Sequence, residues 1–285
     1  MNALAPEPVT SLPAAPRPRP ATAVGGVLLG AVLVAWAAAL VAPYDVVADV
    51  SPARASLGPA GDHWLGTDHL GRDVAWRLLL GSHAFVGPGL FAAVLAGALG
   101  GLGGTSAGWF GGAAAMAVRY VSTVVASVPR FVFVLLAGAI FGADVWVLAA
   151  ATGVACAPAV SDALHARIDE LRRAEFVLAL RAHGVPEARI LWWHLVWVNG
   201  RGLVTRHLFT AFGFFLVVET TLSYLGGFGV QEPTPSWGNM LAFEFGIPDG
   251  NPFAWLAPAA AIWITILATA LLGQDLGLRE GADHG

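Results

Sequence analysis

Two charged side chains, Arg130 and Glu219, stand inside long apolar runs of this 285-residue sequence. A charge near the centre of a lipid bilayer costs roughly 2.5–3.5 kcal/mol, so each is expected to face other protein or a water-filled cavity. Glu219 could line a path or bond a neighbouring helix, and the structural role is favoured. Arg130 follows Pro129 and could pair with Glu219, extend towards the membrane surface or bind a substrate carboxylate. These uses of Arg130 stay open.

A second group of reactive side chains lies at residues 62–73, where acids and histidines accompany Arg72, Thr67 and Gly71. This composition is typical of a hydrogen-bonded turn, in which Arg72 forms a local salt bridge or locks the segment over one mouth of the protein. His63 and His69 with an aspartate are weak grounds for a metal site, so surface or capping roles are favoured. No motif pairs a nucleophile with a base, and we therefore assign no catalytic residue and no metal ligand.

The composition excludes several kinds of site. All 15 basic residues are arginine, so the chain lacks the lysine that a Walker A loop or a Schiff base requires. A single cysteine excludes an intrachain disulfide and a multi-cysteine zinc site. A net charge of −4 argues against nucleic-acid binding. With 56% hydrophobic residues, 12% charged residues and a mean hydropathy of +0.68, the chain is typical of an integral membrane protein.

Apolar segments must position these residues. A bilayer core about 30 Å thick needs roughly 20 apolar residues in a helix. The sequence predicts an all-α membrane protein with about six spans, at 21–42, 85–108, 121–142, 145–160, 207–225 and 253–272. A signal peptide is the alternative for 21–42, but its apolar run is longer than the usual roughly 7–15 residues, so a retained helix is expected.

Glycines recur at four-residue intervals in and just after the second predicted span, at Gly100, Gly104, Gly108 and Gly112. Small residues on one helix face let a second helix approach closely. We therefore expect tight helix packing along this face.

The distribution of arginine predicts the orientation, because arginine is enriched on the cytoplasmic side. With the N-terminus inside, the cytoplasmic segments contain Arg17, Arg19, Arg119, Arg167, Arg172, Arg173, Arg181, Arg189, Arg201, Arg206 and Arg279. The outer segments contain only Arg54, Arg72 and Arg77. Both termini are thus expected in the cytoplasm. We expect residues 1–20 to form a disordered cytoplasmic tail, 43–84 and 226–252 to be extracytoplasmic, 162–206 to form a cytoplasmic loop, and 85–280 to form the core with five of the spans.

The cytoplasmic loop has a helical pattern. A helix is predicted over 169–181, Gly184 occupies the position of a helix-ending glycine, and Pro186 suits the first turn of a new helix. A short surface helix with apolar residues must cover its own bundle, the membrane surface or a groove in a partner.

The residues Glu175-Phe-Val-Leu-Ala-Leu-Arg-Ala-His-Gly184 and Arg189-Ile-Leu-Trp-Trp-His194 resemble the EAA loop of ABC-importer permeases. In that family this loop inserts a short helix into a cleft of a cytoplasmic ATPase. The resemblance implies that the coupling residues are Glu175, Phe176, Ala179, Arg181, Ala182, Gly184 and Arg189. The chain departs from the motif at Leu178 and Leu180, and the ending His-Ile-Leu-Pro-Asn is replaced by His194-Leu-Val-Trp-Val-Asn199.

Two further segments, 63–73 and 222–241, with the shorter 107–112, resemble the dipeptide, oligopeptide and nickel permeases, in the C-type subunit. The matching outer positions are Gly66, Thr67, Asp68, Gly71, Arg72, Asp73, Gln231, Pro233, Pro235 and Trp237. The two prolines should make the second segment stiff. Such a loop suits contact with a docking soluble protein and equally a plug that braces the bundle.

The resemblance implies a non-catalytic permease subunit of an ATP-driven importer in the bacterial cytoplasmic membrane. The implied partners are a homologous second permease, two ATPase subunits that use ATP and Mg²⁺, a solute-binding protein and the lipid bilayer. A peptide is the first expectation for the solute, and nickel or a metal chelate is the alternative. Two other classes fit less well: an intramembrane enzyme would need a paired nucleophile and base, and an ion-driven transporter would need more buried acids than Glu219.

Overall fold

The computed structural model describes residues 20–41, 44–45, 49–247 and 250–282, with side chains described up to residue 274. The predicted tail therefore lies outside the described residues except for Pro20. The described part of the chain contains helices and no strands. Its α-helices are α1 Pro20–Ala39, α2 Val74–Gly81, α3 Val86–Phe110, α4 Gly112–Ala126, α5 Arg130–Phe141, α6 Val145–Leu171, α7 Glu175–Ala182, α8 Glu187–Arg189, α9 Asn199–Leu225, α10 Trp237–Glu244 and α11 Phe253–Ala282.

Five helical stretches of the described chain are long and apolar enough to cross a membrane. They are Pro20–Ala39, Val74–Phe110, Val145–Leu171, Glu187–Leu225 and Phe253–Gln274. Each overlaps one of the predicted spans, so the all-α membrane fold is confirmed. The helices that correspond to the fourth and fifth predicted spans are longer than predicted, since α6 reaches Leu171 and α9 begins at Asn199.

The third predicted span, 121–142, is not one helix. The chain forms α4 and α5, which are bent by 81° at residues 127–129. Pro129 explains the break, because proline has no N–H to continue a helix and disfavours helical geometry in the residue before it. At 1.5 Å per residue the two helices are about 22 Å and about 18 Å long, enough together to cross a bilayer core.

The predicted glycine face packs against α6. A Cβ atom added at Gly104 would lie 2.4 Å from the carbonyl oxygen of Ser161, and Gly100 and Gly108 meet α6 in the same way. Gly112 has no such neighbour, so the expectation holds at the other three positions. Later residues of α3 contact later residues of α6, so these two helices run parallel. The bent pair α4–α5 must therefore return the chain from the end of α3 to the start of α6.

The predicted helix over 169–181 is wrong. The chain turns at residues 172–174, and α7 begins at Glu175 without any proline or glycine at the break. Packing explains the turn: it brings Val177 into a buried cluster with Ile168 and Ile190. The free energy of burying these side chains outweighs the helical propensity of the local sequence.

Two contacts define the two ends of the bundle. The Arg172 Nη1 atom donates to the Trp109 carbonyl oxygen at 3.0 Å, which places the ends of α3 and α6 together beside α7. At the opposite end the Gly229 N–H donates to the Ala143 carbonyl oxygen at 3.2 Å. We call the first the α7 end, and the second, which contains residues 49–73 and 226–247, the motif end.

Candidate functional site

Four charged side chains meet at the motif end and form what we call the charge network. The Arg72 Nε atom donates to Asp68 Oδ2 at 2.7 Å, and Arg72 Nη1 donates to Glu232 Oε2 at 2.6 Å. Arg77 binds the same two carboxylates, each at 2.6 Å. Asp68, Arg72 and Arg77 are buried, and 24% of the Glu232 side chain is exposed. Because each carboxylate serves both arginines, removal of one member leaves the others with an unpaired charge.

The local sequence builds the turn that holds Asp68 and Arg72. Asp68 Oδ1 accepts hydrogen bonds from the Leu70 and Arg72 N–H groups, at 2.9 and 2.8 Å. Gly71 has a φ of +76°, and a Cβ atom there would lie 2.0 Å from the Ser51 carbonyl oxygen, so only glycine fits. Asp73 then caps α2 by accepting from the Trp76 N–H at 2.9 Å. The turn thus delivers both arginines to one place.

Burial and pairing act against each other in this network. Burial raises the pKa of Glu232, even though Arg72 binds and stabilises its carboxylate. Burial also disfavours the charged form of Arg72, but Asp68 and Glu232 outweigh it and raise the pKa of Arg72. The network is therefore stable only while all of its partners are present.

Two histidines pair with acids beside the network. The His63 Nδ1 atom lies 2.7 Å from Asp73 Oδ2, and His69 Nδ1 lies 2.5 Å from Glu244 Oε1. The hydrogen bond to Glu244 raises the pKa of His69. Since Glu244 belongs to α10, this contact joins the two motif segments a second time.

The side chains of Asp68, His69 and Glu244 come close enough for a metal ion, with their ligand atoms within 4.8 Å of one another. Those atoms already have partners. Asp68 accepts from both arginines of the network, and Glu244 accepts from the His69 ring and backbone. Ion pairing accounts for this cluster without a metal.

The second motif segment also packs on the first. The Trp237 Nε1 atom donates to the Leu78 carbonyl oxygen at 2.8 Å, and Asn251 Nδ2 donates to the Leu65 carbonyl oxygen at 2.7 Å. Pro235 and Trp237 are buried, whereas Gln231 and Pro233 remain exposed. Hydrogen bonds therefore hold the segments of the motif end together, and part of their surface remains exposed to solvent.

At the α7 end, the predicted coupling residues lie on and just after a short exposed helix. Val177 is buried, while 39% of Phe176 and 56% of Leu178 are exposed. The helix ends as predicted at Gly184, whose φ is +74°: its N–H donates to the Arg181 carbonyl and the Val185 N–H donates to the Leu180 carbonyl. The other predicted coupling residues are exposed: Glu175, Ala179, Arg181, Ala182, Gly184 and Arg189.

Two contacts set the direction of α7. The Arg181 guanidinium lies 5.6 Å from the centre of the Trp109 ring, at the end of α3, and its Nε atom donates to Glu187 Oε1 at 2.8 Å. Val177, one helical turn before Arg181, anchors the same face of the helix in the bundle. A force on the exposed face of α7 would therefore reach α3, α6 and the segment that leads into α9.

That segment, Ile190–Val198, is a π-helix. Each turn of a π-helix contains more residues than an α-helical turn. Leu195 is buried within this segment, which joins directly to α9.

The two intramembrane charges do not pair with each other. Glu219 is fully buried in α9, and its Oε1 atom accepts from the Ser223 hydroxyl at 2.7 Å. Ser223 lies one turn further along the same helix, so this contact is not the predicted bond to a neighbouring helix. Arg130 is the first residue of α5 and is exposed, and it forms no ion pair with any residue that the structure describes.

Sequence reasoning missed three members of the motif-end cluster: Arg77, Glu232 and Glu244. The position of Arg77 could have drawn attention to it, because it is the last charged residue before a long uncharged stretch. Glu232 lies within the second motif, next to Pro233, but no spacing rule connects it to Arg72. Only the folded chain brings them together.

Comparisons with known proteins agree with this architecture. A model of the family described as "Binding-protein-dependent transport system inner membrane component" matches residues 100–275. The chain is 27% identical to a dipeptide transport system permease protein of Alkalihalophilus pseudofirmus, over 83% of this chain and 76% of the relative. It is 28% identical to a glutathione transport system permease protein of Pectobacterium atrosepticum, over 92% and 86%. It is 31% identical to a putative peptide permease protein of Brucella suis, over 82% and 77%. With its spanning helices and matching motifs, the chain belongs to the family of multi-pass inner-membrane permease components of binding-protein-dependent transport systems.

Proposed function

We propose that this chain forms one half of the translocation pathway of an ATP-driven importer, and that a homologous second permease forms the other half. Two cytoplasmic ATPase subunits bind ATP and Mg²⁺, and an extracytoplasmic solute-binding protein delivers the solute. The family membership supports these partners, and the lack of lysine supports an ATP site on separate subunits. In this proposal the α7 end and both termini face the cytoplasm, and the chain itself catalyses no reaction.

The proposed solute is a peptide. Its support is that the relatives described above are named for dipeptide, glutathione and peptide transport. Uptake of a labelled dipeptide by the complete transporter tests this choice. Uptake of nickel or a metal chelate, without uptake of the dipeptide, would contradict it.

The observation that carries the proposal is the construction of α7. Its buried side chain, Val177, fastens it to the bundle, while Phe176 and Leu178 present an apolar surface that nothing in the described chain covers. Such a surface suits a groove in a partner protein. Because α7 also contacts α3 and the segment before α9, movement of an ATPase docked here would reach the spanning helices.

Transport requires that this movement change the balance between outward-open and inward-open states. A partner shifts such a balance only by binding one state more tightly than the other. The braced motif end and the α7 end lie at opposite ends of the same helices. The solute-binding protein and the ATPases can therefore act on one equilibrium from opposite sides.

Phe176→Glu tests the docking surface. We expect recovery of the ATPase subunits with the purified permease, and ATP hydrolysis stimulated by the binding protein, to fall at least tenfold, because a charge replaces an apolar contact. Leu57→Glu is the matched control, since 48% of Leu57 is exposed and it lies at the motif end. Normal ATPase recovery with Phe176→Glu would contradict the proposal, as would a wild-type complex that contains no nucleotide-binding subunit.

Gly184 provides a second test of coupling. Valine disfavours a φ of +74°, whereas asparagine tolerates it, and a Cβ atom at this position meets no neighbour. We expect Gly184→Val to lower transport and transport-linked hydrolysis while membrane insertion survives. Gly184→Asn should retain most of both. Unchanged uptake with Gly184→Val would show that the turn does not transmit the movement.

A further inference from the structure

Arg130 lies about halfway across the membrane. α5 runs antiparallel to α6, since only residues 142–144 connect the two helices and a Cβ atom at Gly138 would lie 3.0 Å from a methyl group of Leu148. α5 has 12 residues, so Arg130 lies about 18 Å from the motif end of α5, in a bilayer core about 30 Å thick. An arginine side chain is too short to reach either surface from there.

The side chain is on the protein-facing side of α5. Arg130 precedes Val134 and Gly138 by one and two helical turns, and both of these face the bundle and are buried. Val132 and Leu136, which are 50% and 55% exposed, lie on the opposite face. Arg130 itself is exposed, at the start of α5 and directly after the break.

Among the described residues no carboxylate pairs with Arg130, and Glu219 is bonded to Ser223 instead. A charge at this depth without a counter-charge is stable only in a water-filled cavity or beside an anion that comes from outside the chain.

We propose that Arg130 determines specificity in the translocation pathway by binding the carboxylate of the passing solute. This inference rests on the proposed function, because it requires a water-lined path at the α4–α5 break. A guanidinium binds a carboxylate through two parallel hydrogen bonds, and the attraction is stronger in a narrow cleft than in bulk water. Arg130 thus favours solutes with a free carboxylate, such as unmodified peptides.

The test places a reporter thiol beside Arg130 in the complete purified transporter. Cys156→Ala first removes the single native cysteine, and Ser127→Cys adds a thiol at an exposed position of the break. We expect a charged, water-soluble thiol reagent to label this variant. Val132→Cys, on the face of α5 opposite to Val134 and Gly138, is the matched control and should not react. Absence of labelling at Ser127→Cys would overturn the inference.

Protection by solutes then tests the role of the arginine. A dipeptide should slow labelling of the Ser127→Cys variant at least fivefold, and the same dipeptide with an amidated C-terminus should not. Adding Arg130→Gln should abolish the protection, while Arg130→Lys should retain part of it. Equal protection by both solutes, or protection that survives Arg130→Gln, would overturn the inference.

The outcome is separable from that of the proposed function. Phe176→Glu is expected to disrupt ATPase docking but leaves the α4–α5 break unchanged, so dipeptide protection should persist in that variant. If the docking variant loses ATPase recovery but no solute slows the labelling of Ser127→Cys, the role of Arg130 is rejected and the proposed function stands.

Discussion

Arg72 and Glu232 lie 160 residues apart in the sequence, and the Arg72 Nη1 atom donates to Glu232 Oε2 at 2.6 Å. This ion pair joins the segment before α2 to the segment between α9 and α10. With Arg77 and Asp68 it ties these two segments of the motif end together. A protein that docks on either segment therefore acts on the helices that hold both.

Arg72→Met should destabilise the motif end strongly. The substitution leaves Asp68 and Glu232 without one of their partners in a buried site, which typically costs about 3–5 kcal/mol. We expect a clear drop in the thermal unfolding midpoint of the purified permease. The control is Arg173→Met, which removes the exposed pair with Asp169 and should cost about 0–1 kcal/mol. Equal effects of the two variants would show that the charge network contributes no special stability.

Gly104→Ala should impair packing between α3 and α6. The added Cβ atom would lie 2.4 Å from the Ser161 carbonyl oxygen, so the helices must separate, at a cost of about 1–3 kcal/mol. The yield of folded protein and its thermal midpoint measure the effect. Gly101→Ala is the matched control because a Cβ atom there meets nothing within 4 Å. A normal yield of Gly104→Ala would mean that this contact is looser than the structure indicates.

The contact between His69 and Glu244 should depend on pH. Its hydrogen bond to Glu244 raises the pKa of His69 above the ordinary value of 6.5. The stabilisation is therefore fully present below pH 6.5 and is lost as the pH rises through the raised pKa of His69. Hydrogen exchange of residues 66–73 and 241–247 should accelerate over that range.

His69→Gln provides the control for this pH dependence. Glutamine can donate a hydrogen bond to Glu244 but does not titrate, so exchange corrected for its intrinsic pH dependence should become flat. If the wild-type protein and His69→Gln show the same profile, another group controls the motif end.

Trp237→Phe should weaken the attachment of α10 to α2. The indole Nε1 donates to the Leu78 carbonyl at 2.8 Å, and the ring packs 4.5 Å from that of Phe85. Phenylalanine keeps most of the packing but loses the hydrogen bond, for an expected loss of about 0.5–1.5 kcal/mol in unfolding free energy. Trp64→Phe, at a side chain that is 82% exposed, should change the thermal midpoint little. A comparable loss in both variants would contradict this assignment.

Local patterns in the sequence were enough for much of the fold. Apolar length predicted the spanning helices, because lipid requires every backbone polar group to be bonded within its own segment. Four-residue spacing predicted the close approach at Gly100, Gly104 and Gly108, since those positions share one helix face. Gly184 predicted the end of α7 for a similar reason: the left-handed backbone there depends mainly on a single residue.

Local sequence patterns predicted the α4–α5 bend and the start of α7 only in part. Pro129 was visible in the sequence, but proline inside a span can kink a helix slightly or break it, and the contacts of α5 with α6 decide which. The turn at residues 172–174 has no local signal, because it forms to bury Val177 against Ile168 and Ile190. The π-helix likewise depends on keeping Leu195 in that cluster.

By itself, then, the sequence determined the membrane-spanning character, the motifs and the absence of an ATP-binding lysine, all of which depend on composition or on residues near one another in the chain. Only the tertiary structure decided which charges meet. Arg72 and Arg77 join Glu232, Glu219 bonds to Ser223, and Arg130 has no ion-pair partner among the described residues, because ion pairs form between side chains that chain folding brings within a few ångströms. Sequence separation does not encode that distance.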